Sequence, residues 1–281
     1  MMSASQPYKL SIKAYEEDLA LVKELRILIE SKYTEIFHCI VVHGSVATNE
    51  IIPYSDFDGL LVVKDSFVAT KKLEEFKKES MKLILKFDPL QHHGWFQIKE
   101  SDLDNYPESY LPVSTLKHSK LIYPIQDSLN LNLEVSNTID YKSSLEGILN
   151  QFETRIQNQW QPSNVYELKS VLSQIMLIPC LYYSAINDNG IFKRESFDEV
   201  KGNFNEKEWR PIKIASRIRL NWNNSLNPLQ GFLLKQSNPF LRKVVKKYLA
   251  PKIDSQTKLL LNDEFYENLS ELIRQIKTDI E

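Results

Sequence analysis

Between Ile40 and Val63 two short apolar runs flank a turn and a pair of carboxylates. Ile40-Val41-Val42 leads into His43-Gly44-Ser45; ten residues later Asp56-Phe57-Asp58-Gly59 opens into Leu60-Leu61-Val62-Val63. Aliphatic runs of this length bounded by Gly, Ser and Pro read as buried strands, and Gly44-Ser45 lets the backbone turn tightly between them. Successive side chains of a strand alternate faces, so Asp56 and Asp58 project to the same side and can hold a divalent cation. Mg²⁺ suits such a pair, because it takes one or two protein carboxylates and completes its octahedron with water and substrate phosphates. The Gly-Ser turn adds backbone N–H groups and a hydroxyl at the start of what reads as a helix, where phosphate oxygens are welcome. Ordinary turn chemistry at Pro53-Tyr54-Ser55 and Asp58-Gly59 accounts for single residues, but not for two carboxylates directly before an unbroken apolar run.

Strand, Gly-Ser, about ten residues, Asp-x-Asp, strand: in this order the pattern resembles the signature of the DNA polymerase β-like nucleotidyltransferase superfamily. It does so firmly over residues 39 to 63 and loosely to about residue 100. The resemblance implies an α/β (α+β) fold, a nucleotidyltransferase-type mixed sheet with flanking helices followed by an α-helical domain. It implies transfer of a nucleoside monophosphate from an NTP such as ATP to a hydroxyl, with Mg²⁺ (or Mn²⁺) at Asp56 and Asp58 and with Gly44 and Ser45 on the β and γ phosphates. Active members carry a third carboxylate on a later strand, and here the chain departs from the pattern. The run Leu90 to Ile98, which reads as that strand, holds Gln91, His92 and His93 but no acid. Asp88, just before it, is one candidate for the missing group and His93 another, since imidazole can act as a base near neutral pH. Adjacent strand residues face opposite ways, so at most one of the two histidines can face the metals. If neither serves, the site is a non-catalytic nucleotide-binding or antitoxin-like module.

The sequence divides near residue 135, giving a nucleotidyltransferase domain over 1–135 and a helical domain over 136–281. Helical spacing of apolar residues runs from Ile12 to Ile29 and from Thr70 to Leu85 in the first half. From Tyr141 onward strand signals vanish, and Leu145 to Trp160, Val165 to Ile186, Pro211 to Trp222, Asn238 to Leu249 and Phe265 to Ile280 read as helices. Ile178 to Tyr183 followed by Gly190 to Phe197 resembles the accessory domain of small nucleotidyltransferases such as the aminoglycoside-modifying enzymes. There a loop lysine meets the triphosphate, and Lys193 matches it; taken alone, Lys193 also fits a solvated turn.

At 281 residues about two domains are expected, and a net charge of −2 with two cysteines, Cys39 and Cys180, speaks for an ordinary cytoplasmic protein rather than a disulfide framework. The N-terminus lacks the basic and apolar pattern of a secretion signal, and no apolar run approaches the roughly 20 residues of a membrane span. Charge is nevertheless segregated. From Arg210 to Lys252 there are ten Lys and Arg residues and no Asp or Glu, with Trp222, Phe232 and Phe240 interleaved. That segment could contact RNA, or pair with acidic residues elsewhere. No Gly-x-Gly-x-x-Gly or Gly-x-x-x-x-Gly-Lys-Ser/Thr occurs among the seven glycines, which removes the Rossmann and P-loop classes. A helical ribonuclease of the HEPN type needs a histidine in the second half, and none follows His118. Oligomeric state and the acceptor (small molecule, protein or RNA) are not legible at this level.

Overall fold

The fold comes from a computed structural model that describes residues 6–91, 94–135, 139–223, 226–234 and 238–281. The chain forms two compact units, Met1–Ile139 with Asn227–Val245, and Asp140–Leu226 with Lys246–Glu281.

In chain order the first unit contains β1 (Gln6–Lys13), α1 (Ala20–Lys32), β2 (Phe37–His43), the single turn α2 (Gly44–Ala47), β3 (Asp58–Val63), α3 (Lys71–Phe87), β4 (Phe96–Lys99), the short α4 (Val113–Leu116), β5 (Lys120–Tyr123) and β6 (Ser128–Val135). The mixed sheet expected for the first half is present, in the order β4-β3-β2-β5. The β2–β3 and β2–β5 pairs are antiparallel and β3–β4 is parallel. A separate antiparallel ribbon joins β1 to β6. The two central strands read as continuous apolar runs because both faces are covered. Phe37, Ile40, Val42, Leu61 and Val63 enter the core beneath α1 and α3, whereas Cys39, Val41, Leu60 and Val62 enter a second core with Leu10, Ile12, Leu131 and Leu133 of the ribbon. The Arg26 guanidinium fastens α1 to the sheet edge, donating to the carbonyls of Tyr15 at 2.7 Å, Ile122 at 3.2 Å and Leu121 at 3.3 Å.

Three local expectations change. The helix read from Ile12 begins only at Ala20, because Gln6–Lys13 is strand β1, paired along its length with β6. The strand read from Leu90 to Ile98 is reduced to Phe96–Lys99, since the chain first turns at Pro89-Leu90. The helix read from Val165 to Ile186 is two helices, with a break at Met176-Leu177 just before Pro179.

The second unit is helical: α5 (Tyr141–Gln157), α6 (Val165–Ile175), α7 (Ile178–Asn187), α8 (Lys193–Val200) and α9 (Glu206–Leu220). α10 (Pro228–Leu234) and most of α11 (Pro239–Tyr248) belong to the first unit, and the second resumes with α12 (Ser255–Leu260) and α13 (Asp263–Ile280). Many starts are set by short polar side chains that accept first-turn amides: Asp140, Asn164, Asn205, Asp254 and Asn262 each cap a helix, and Glu208 completes a capping box with Asn205. α13 packs against α9 and α5, and α7 against α5 and α8. Phe265, Leu269, Leu272, Ile273 and Ile276 form the inward stripe of α13. Among the described residues, Val165–Asn187 is long and apolar enough by length and composition alone to cross a membrane, though it carries Glu167 and Lys169. Here it is a pair of packed helices, with Val165, Leu168, Val171 and Leu172 buried in the unit.

Candidate functional site

The carboxylates of the Asp-x-Asp motif lie where β2 ends and β3 begins. His43, the last residue of β2, pairs in register with Asp58, the first of β3. Beyond His43 the backbone enters the left-handed region at Gly44, φ +67°. A Cβ on Gly44 would sit 3.2 Å from Asp58 Oδ2, so the Asp58 carboxylate lies over the face that the glycine leaves bare. Glycine is therefore required there both by conformation and by space. Asp56 precedes β3 rather than belonging to it, yet the alternation inferred from sequence persists. Asp56 and Asp58 are both partly exposed, while Phe57 between them is 1% exposed.

That extended geometry holds beyond the end of the strand ladders, because β3 pairs with β4 only from Leu60 onward and with β2 only as far as Asp58. The Gln91 side chain supplies the missing partner. Its Oε1 accepts from the Phe57 N–H at 3.1 Å and its Nε2 donates to the Phe57 carbonyl at 2.6 Å. Gln91 is 1% exposed and is presented by a turn at Asp88-Pro89-Leu90-Gln91, closed by its own N–H donating to the Asp88 carbonyl at 3.1 Å. The Asp88 carboxylate accepts from the Leu90 N–H at 2.9 Å, an Asx turn that braces the same corner. Trp95 completes the support. Its ring stands edge-on to Phe57 with centroids 5.2 Å apart, its indole N–H donates to Ser80 Oγ at 2.8 Å, and a Cβ on Gly59 would meet it at 2.4 Å. Gly59 thus makes room for an indole.

Ser45 is partly exposed on the single turn α2, and its hydroxyl donates to Ser55 Oγ at 3.0 Å, which in turn accepts from the Ile52 N–H at 3.0 Å. This ties the Gly-Ser turn to the loop that delivers Asp56. Four predicted residues, Gly44, Ser45, Asp56 and Asp58, therefore share one corner of the first unit. Asp88 is 8% exposed in its Asx turn, and among the described residues no three His, Cys, Asp or Glu side chains are grouped so as to hold a metal ion. His93 lies outside the described residues. Lys193 opens α8 in the second unit; burial pushes the nearby Cys180 thiol up, and the Lys193 charge pulls it partway back. Sequence reasoning missed Gln91 and Trp95. A glutamine two residues after Pro89 carries no chemical motif, and only the end of the ladder reveals its use.

The donor set fits Mg²⁺ in its chemistry: hard carboxylate oxygens from two residues two apart, that of Asp58 lying over the bare face of Gly44. No family model matches the chain, and no curated protein matches it. Among solved structures it is similar to a spectinomycin adenyltransferase from Enterococcus faecialis, determined with ATP and spectinomycin. The TM-score is 0.40 and the identity 14%, over 83% of this chain and 99% of that one.

Proposed function

We propose that this protein is a nucleotidyltransferase that moves a nucleoside monophosphate from an NTP to a hydroxyl acceptor. The observation that carries the reading is the Asp58 carboxylate set over Gly44, with Asp56 two residues away and Ser45 beside the same turn. Asp56 and Asp58 would hold Mg²⁺, which when bound neutralises phosphate charge. Gly44 and Ser45 bind the β and γ phosphates, and Lys193 is assigned to the triphosphate by resemblance. The acceptor oxygen forms a bond to the α-phosphorus, the bond from that phosphorus to the β-phosphate oxygen breaks, pyrophosphate leaves, and the acceptor proton passes to a base or to water.

The test is incubation with each α-labelled NTP and Mg²⁺ or Mn²⁺ against separate pools of RNA, protein and small hydroxyl compounds. Label appearing in one pool supports transfer and names the acceptor class. No label in any pool, with NTP binding retained, supports the non-catalytic module instead; the absence of a three-acid group among the described residues is the observation on its side.

A polyanionic acceptor has its own support. Within the acid-free segment Arg210 pairs with Glu264 and Lys213 with Glu206, which accounts for part of the charge. On α11, however, Phe240, Lys243 and Lys247 recur at helical spacing, all exposed, and no acid among the described residues pairs with either lysine. An aromatic ring at the head of a stripe of two cations suits stacking bases and a phosphate backbone.

A further inference from the structure

We infer that Gln91 is a positioning residue for the metal pair, acting through the backbone of Phe57; this rests on the metal reading of Asp56 and Asp58. A side-chain amide holding both the N–H and the carbonyl of one residue does what a neighbouring strand does. At Phe57 neither neighbouring strand is in register to do so. With Gln91 in place, Phe57 is pinned at both its polar groups and buried against Trp95, and the carboxylates on either side are forced to the same face. Without it, residues 55–57 are a loop with two freed backbone groups in a buried corner, and Asp56 is no longer fixed relative to Asp58. Asp58 keeps its place through the ladder with β2, so the cost falls on the convergence of the two side chains rather than on the fold. The carboxylate of Asp88 and the turn at Pro89 then serve the site at one remove, by aiming Gln91.

Outer partners that orient metal ligands change affinity by about 10- to 100-fold when removed. The experiment measures Mn²⁺ binding to the nucleotide-free protein by electron paramagnetic resonance, beside its thermal melt. Three variants are compared with the parent: Gln91→Met, which keeps the volume and loses both bonds, Gln91→Asn, whose amide falls one methylene short, and Asp58→Asn. The expected result is Mn²⁺ affinity lowered at least about tenfold in folded Gln91→Met, lowered less in Gln91→Asn, and lost in Asp58→Asn. If Gln91→Met does not fold, Gln91→Asn decides: a measurable loss of Mn²⁺ affinity supports the inference, and affinity unchanged from the parent overturns it. Mn²⁺ affinity unchanged in the glutamine variants but lost in Asp58→Asn overturns the inference and leaves the metal reading standing. Unchanged affinity in Asp58→Asn as well overturns the metal reading and the inference together.

Discussion

Asp58 and Asp56 differ in how they are held, and that difference decides what each substitution does. Asp58 is ladder-bound to His43 and lies over Gly44, whereas Asp56 depends on a backbone fixed one residue later by Gln91. Neither carboxylate is buried, so Asp56→Asn and Asp58→Asn are expected to melt within a few degrees of the parent. In a transfer assay each should lose on the order of 10²-fold or more in turnover, because a metal carboxylate stabilises charge that develops in the transition state. Near-normal turnover in the double variant would remove the assignment. Asp88 offers a contrast at the same scale. Its carboxylate accepts the Leu90 N–H, a bond that an asparagine oxygen can also accept; where that bond is what the site draws from it, Asp88→Asn leaves turnover within a few-fold while Asp88→Ala loosens the turn and lowers it further. Loss of all turnover in Asp88→Asn would restore it as the third acid. Gly44 was legible in the sequence because Gly-Ser after an apolar run announces a turn. Gly59 was not, since its reason is a tryptophan 36 positions away in the chain that only folding brings near.

The elements were legible where one pattern ruled and illegible where two overlapped. Ser128-Leu-Asn-Leu-Asn-Leu-Glu-Val alternates strictly, and its burial alternates with it over Asn130–Val135, yet β6 went unread because its partner β1 lies at the other end of the unit, with its last two residues taken into a helical stripe beginning at Ile12. Both strands needed each other to be seen. The break at Met176-Leu177 was announced by Pro179, which is tolerated in the first turn of a helix but not in the interior of one. On α11 the stripe of Phe240, Lys243 and Lys247 leads to a measurement of single-stranded RNA binding between about 50 and 200 mM salt. On a single strand each phosphate contact adds about 0.7 unit to the slope of log K against log salt. Lys243→Glu with Lys247→Glu should flatten that slope by about one and a half units and leave NTP affinity unchanged. No RNA binding at low salt would reassign the stripe and make a small-molecule or protein acceptor the better choice.

At the scale of the whole molecule, buried phenols in both units, Tyr106 in the first and Tyr182 and Tyr266 in the second, are pushed up by burial and set an alkaline limit. Burial, then the hydrogen bond to Asp279, pushes the Tyr182 phenol up to about 12, from an ordinary 10.0; its hydroxyl donates to Asp279 Oδ2 at 2.7 Å, tying α7 to α13. Burial does the same for Tyr266, also to about 12. A folded pKa above the unfolded one means stability that is complete below pH 10 and is lost as pH rises toward 12. Tyr182→Phe is expected to lower stability by about 1 kcal/mol at neutral pH, the usual net worth of a hydrogen bond. It should also make the decline above pH 10 shallower, which chemical denaturation at a series of pH values would read directly. An unchanged alkaline slope would show that this phenol is not what the limit reports.

The sheet's coverage on both faces has a last consequence for the lifetime of the site. Among the described residues β2 and β3 are the strands of the mixed sheet with a full partner strand on each side, and Ile40, Val41, Val42, Leu61, Val62 and Val63 are each 0% exposed. Amides so placed open only when the unit unfolds globally, so they should be the slowest in the protein to exchange their hydrogens for deuterium, whereas those of residues 52–57 should exchange by local opening. Asp58 would then hang from the more persistent of two supports, and Asp56 from a corner whose hold rests on the Gln91 side chain.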